Sequence, residues 1–136
     1  MLSNVLTILF MVCSTTINAA NISATATKKN VYTENQQAIS VTANEPVFIL
    51  KLKSNPTTGY TWILRNYDAR LLTLVTHHYQ AGKPRLIGSG GFEWWTFRAN
   101  AALFAEQKPA TIYIIYARAW EKNNGVKTAD FIVTPH

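Results

Sequence analysis

The sequence predicts an all-β sandwich of seven to eight strands, and three observations carry that prediction. Apolar residues after position 20 recur with a period of two rather than 3.6. β-Branched and aromatic residues dominate those apolar segments. Between them, turn-forming clusters rich in Pro, Asn and Gly punctuate the chain at intervals suited to short strands.

The alternation is clearest over 48–53, where Phe48, Leu50 and Leu52 share one face and Lys51 and Lys53 the other. Successive side chains of a strand point to opposite faces, so this segment has one buried and one wet side. The same reading applies to 38–42, 60–65, 71–79, 92–98, 111–118 and 126–134, making seven strands. The stretch before 38, including 28–32, would add an outer strand as the eighth. Breakers separate them: Asn44-Glu45-Pro46, Ser54-Asn55-Pro56 with Gly59, residues 66–70, residues 82–91, Gln107-Lys108-Pro109 and Asn123-Asn124-Gly125. The Ala-rich stretch 99–105 departs from the pattern and reads as a helical turn.

Residues 1–20 carry no charge and centre on an apolar run over 5–13, ending in Asn18-Ala19-Ala20. This is the outline of a signal peptide, with residues 21–136 as one domain delivered to the periplasm or outside the cell. The run is far shorter than the roughly 20 apolar residues needed to cross a bilayer, so no membrane partner is expected. Cys13, the single cysteine, falls inside this leader, and the mature chain would hold no disulfide. A domain of this length can bury a sufficient core without one.

The 13 Lys and Arg exceed the 7 Asp and Glu, giving a net charge of +6. The cations are scattered rather than gathered into an arm, which argues against a nucleic-acid partner and for solubility with mild steering towards acidic surfaces. His77 and His78 fall on opposite faces of a strand, so they do not form a metal site, and none is expected. Paired carboxylates, a nucleophile with its base, and a phosphate-cradling loop are all missing from the pattern, so neither a cofactor nor catalysis is expected. Ser89 is read as a turn residue, because Ile87 stands where a nucleophile elbow requires glycine.

If each connection reverses the chain, alternate loops share an end. The loops after the second, fourth and sixth of the seven strands then meet at one pole. They contain Asn55-Pro56-Thr57-Thr58-Gly59-Tyr60, Leu86-Ile87-Gly88-Ser89-Gly90-Gly91 and Arg118-Ala119-Trp120. Alone, each is a turn. Together and in this order they resemble the motifs of the chagasin family of cysteine-protease inhibitors: an Asn-Pro-Thr-Thr-Gly-aromatic loop, a Gly-x-Gly-Gly loop and an Arg-Pro-Trp loop.

The resemblance implies an immunoglobulin-like fold whose three loops occlude the cleft of papain-like, cathepsin-type cysteine proteases in a reversible 1:1 complex with a monomeric inhibitor. It places Asn55, Pro56, Thr57, Thr58, Gly59, Tyr60, Leu86, Gly88, Ser89, Gly90, Gly91, Arg118, Ala119 and Trp120 in the protease-binding set. Thr57 and Thr58 would lie over the catalytic Cys and His of the protease, and Trp120, beside Arg118, against an apolar wall. Ala119 stands where the family has proline, which removes a φ restraint. A different class, a secreted immunoglobulin-like adhesion or sugar-binding module, would use an exposed Trp94 or Trp95; Trp62 is expected in the core.

Overall fold

A computed structural model describes residues 30–83, 87–121 and 127–136. Two four-stranded sheets face each other across one apolar core. In chain order the strands are β1 (Val31–Tyr32), β2 (Ala38–Val41), β3 (Val47–Ser54), β4 (Tyr60–Tyr67), β5 (Leu72–Ala81), β6 (Gly91–Ala99), β7 (Ala110–Arg118) and β8 (Lys127–Pro135). A short helix, α1 (Ala101–Glu106), interrupts the series between β6 and β7. The first sheet runs β1-β3-β6-β5 and the second β2-β8-β7-β4. The leader predicted over 1–20 lies outside the described residues.

Alternation read from the sequence becomes burial. Phe48, Leu50 and Leu52 of β3 and Trp95 and Phe97 of β6 point inward, as do Ile112 and Ile114 of β7 and Phe131 and Val133 of β8. Phe48 stacks on Phe97 at 5.8 Å, and Tyr67 meets the same Phe97 ring edge-on at 5.7 Å. Burying these rings supplies the main stabilising term, about 25 cal/mol per Å² of apolar surface. Trp62 is buried as expected and donates its indole N–H to the Lys53 carbonyl across the sandwich, at 2.9 Å. Trp95 is buried too. Trp94, on the opposite face, is half-buried beside the His78 ring and Lys51 Nζ.

The Ala-rich stretch is helical. Asn100 stands at its N-cap with its amide donating to the Arg70 carbonyl, Leu103 is buried, and Gln107 ends the helix in the left-handed region at φ 50°. Two pairings depart from simple chain reversal between neighbours: β1 lies parallel to β3, and β2 parallel to β8. Both are edge strands whose partners lie elsewhere in sequence, and period-two patterning carries no signal for that choice.

Register places the functional end. In the first sheet Ser54 pairs with Gly91, and Gly91 with Ala81; in the second, Tyr60 pairs with Arg118. The ends of β3, β5 and β7 and the starts of β4 and β6 therefore lie at one pole. Helix α1 and the turn at Asp68 occupy the other, where Arg70 forms an ion pair with Glu106.

Candidate functional site: three stitched loops at one pole

The first loop is built by Asn55. Pro56 fixes its own φ and opens a 3-10 turn over Pro56–Thr58. The Asn55 carbonyl accepts the Thr58 N–H at 3.2 Å and the Thr58 hydroxyl at 2.7 Å, and its side-chain oxygen accepts the Thr57 hydroxyl at 2.6 Å. Both threonine O–H protons are thus committed inside the loop, and their oxygens remain as acceptors. Gly59 closes the turn at φ +80°, a conformation costly for any residue with a Cβ.

Two contacts tie this loop to its neighbours. The Asn55 side-chain amide donates to the Gly88 carbonyl of the second loop at 3.1 Å. Arg118 Nε donates to the Thr58 carbonyl at 3.1 Å, while the guanidinium carbon lies 4.5 Å from the Tyr60 ring centroid. Trp120 leans over Gly59 so closely that a Cβ there would stand 2.5 Å from the indole Cη2. The third loop is a turn closed by the Glu121 N–H to the Arg118 carbonyl, with Ala119 and Trp120 at its corner.

In the second loop Gly88 and Gly90 take positive φ, at 80° and 71°, and the Gly82 N–H bonds to the Gly90 carbonyl at 2.9 Å. A Cβ at Gly90 would meet the Ser54 carbonyl at 2.9 Å. The glycines here permit backbone against backbone within the molecule. Ser89 lies on the same loop, beside the cleft lined by Ser54, Asn55 and Tyr116. Leu86, part of the expected set, falls outside the described residues.

Thirteen of the fourteen expected residues are therefore described, and all thirteen lie on or beside one pole. Sequence reasoning missed four contributors. Tyr116 accepts the Asn55 N–H on its hydroxyl at 2.9 Å. Glu121 holds Arg118 in an ion pair at 3.0 Å. Ile87 and Tyr79, both exposed, line with Thr57 an open groove of about 370 Å³ between the first and second loops. Ile87 sits inside the second motif, so its apolar character in a Gly-rich turn was a usable signal; Tyr116 and Tyr79 are ordinary strand residues by pattern.

The sequence from 40 to 134, well over half the chain, matches the family described as chagasin family peptidase inhibitor I42. The chain belongs to the chagasin family of peptidase inhibitors. It is an inhibitor rather than an enzyme. Among the solved structures similar to it are two that span most of the chain. One is the crystal structure of a cysteine protease inhibitor from Entamoeba histolytica, at 20% identity and TM-score 0.65, covering 79% of this chain and 95% of that one. The other is the solution structure of amebosin, at 25% identity and TM-score 0.60, covering 78% and 96%. Among curated proteins no significant sequence match is found. The immunoglobulin-like sandwich expected from the motifs is the fold these comparisons share.

The departure at Ala119 has a structural meaning in this inhibitor. Ala119 is the second residue of the 118–121 turn, the position where proline is favoured because its fixed φ suits the turn. The Arg118–Glu121 ion pair spans the same turn and supplies a restraint of another kind. Restoring Ala119→Pro should tighten inhibition about two- to fivefold, equivalent to about 0.4–1 kcal/mol of unfolded and free-loop entropy. Inhibition constants measured side by side check this, and unchanged or weaker binding would show that the ion pair already fixes the turn.

Proposed function

We propose that this inhibitor blocks papain-like cysteine proteases of the cathepsin type, reversibly and as a 1:1 complex, by inserting the three loops into the active-site cleft. The observation that supports it most is the stitching of the loops: Asn55 joins the first to the second, and Arg118 and Trp120 join the third to the first. Segments held this way dock as one rigid edge and lose little conformational freedom on binding.

In this reading Thr57 and Thr58 form the central tip, over the catalytic thiol and imidazole, where they fill space and accept hydrogen bonds without reacting. Trp120, 70% exposed although large and apolar, packs on one wall of the cleft. Gly88, Ser89, Gly90 and Gly91, with Leu86, meet the other. Asn55, Pro56, Gly59 and Tyr60 hold the tip, and Ala119 and Arg118 hold the tryptophan. The similar fold of the Entamoeba histolytica cysteine protease inhibitor supports the target class, and the uncharged apolar stretch at 5–13 supports delivery to the periplasm or outside the cell. The sugar-binding reading is left with Trp94 alone, half-buried beside His78 and Lys51, because Trp95 is buried.

Titrating active-site-quantified papain with residues 21–136 should give a linear loss of activity ending near one equivalent. Full activity under a large molar excess of folded protein would overturn the proposal.

A further inference from the structure

Glu93 is an anomaly in the core. It lies on β6 two residues after Gly91, shares the inward parity of Trp95 and Phe97, and is 1% exposed. Four groups converge on its carboxylate. Oε1 accepts the Ser54 hydroxyl at 2.6 Å, the Thr61 hydroxyl at 2.8 Å and the Trp62 backbone N–H at 3.0 Å. Oε2 faces His77 Nε2 at 2.8 Å, and the His77 ring stacks on Trp95 with centroids 3.6 Å apart. With the Nε2-protonated tautomer all four are donors, three of them on Oε1 and one on Oε2.

The placement of the donors gives the network its meaning. Ser54 ends β3 immediately before the first loop, and Thr61 and Trp62 begin β4 immediately after it. These strands belong to different sheets, so Glu93 ties together both roots of the first loop across the sandwich, while its own strand begins where the second loop ends. A carboxylate needing several donors at fixed directions specifies one arrangement of those roots, whereas an apolar side chain tolerates sliding.

We infer that Glu93 is a positioning residue for inhibition: it never touches the protease but fixes the spacing of the first and second loops. This rests on the reading of the loops as the inhibitory edge. The test compares wild type with Glu93→Gln, which keeps the size but turns an NH2 donor towards donors, and Thr61→Val, which removes one donor and keeps the shape. Amide hydrogen exchange is read at Thr58, Gly59 and Gly82, whose N–H groups bond within the loops, and at Leu72, Asn100 and His136, bonded at the far pole. Papain inhibition is measured on the same samples.

Glu93→Gln should accelerate exchange at the three loop amides tenfold or more, leave the far-pole amides unchanged, and raise the papain dissociation rate about tenfold. Thr61→Val should move the same readouts in the same direction by a smaller factor, and it carries the test alone if the glutamine variant does not fold. Acceleration at both poles together would reduce Glu93 to a general core residue and overturn the inference, as would wild-type exchange and inhibition in both variants. The exchange arm needs no protease. Wild-type protein that leaves papain active would therefore overturn the target reading, while selective loosening of the loop amides would still uphold the positioning of the loops.

Discussion

Trp120→Ala is expected to weaken inhibition of papain by about 2 kcal/mol or more, roughly thirtyfold, with little change in thermal stability. Trp120 stands 70% exposed in the free protein, so its removal deletes almost no core burial. A large apolar side chain left in water is instead a reservoir of binding energy, released when a partner covers it. Its geometry is also fixed beforehand, because the indole rests on Gly59 and the turn beneath it is closed by the bond from Glu121 to Arg118. The loss should appear in the dissociation rate rather than the association rate, since a short-range anchor does not steer encounter. Equal affinity of the two proteins would remove Trp120 from the inhibitory edge.

Gly91→Ala should damage both stability and inhibition. A Cβ at this position would fall on the Gln80 carbonyl oxygen of the paired strand, and also within 2.8 Å of the Tyr79 hydroxyl. The side-chain hydroxyl can swing away; the carbonyl belongs to the β5–β6 ladder and cannot move without opening the pairing at Ala81. Forcing atoms into a packed site costs about 1–3 kcal/mol. Because Gly91 pairs with both Ser54 and Ala81, the strain falls at the base of the first and second loops together. Urea denaturation should report a lower midpoint, and papain inhibition should weaken beyond what the unfolded fraction explains. A variant with wild-type midpoint and inhibition would show that the strand ends yield at no cost.

The two variants act on different kinds of information, and the sequence exposed them unequally. Strand periodicity and chain reversal were enough to bring Asn55, Gly88 and Trp120 to one pole, since each depends only on local pattern and parity. Trp62 could be assigned to the core by the same argument. The parallel edges were not legible: nothing in Val31-Tyr32 or in 38–41 says which strand it joins. Glu93 was partly legible, because it shares strand parity with Trp95 and Phe97, two inward aromatic residues. Its donors come from β3, β4 and β5, and only the folded chain assembles them. Asn55 shows the same limit, for the bonds from its side chain to Gly88 and Thr57 are set only by the folded chain.

The parallel pairing of β2 with β8 has a practical result. β8 runs away from the loop pole, and its end is clamped at the far pole by the His136 N–H on the Val41 carbonyl. A fluorophore or surface linker attached after His136 would leave from the base of the molecule, with the whole length of the sandwich between it and a bound enzyme. Immobilising the protein by that end should present every copy tip-outward, ready to capture a target from solution.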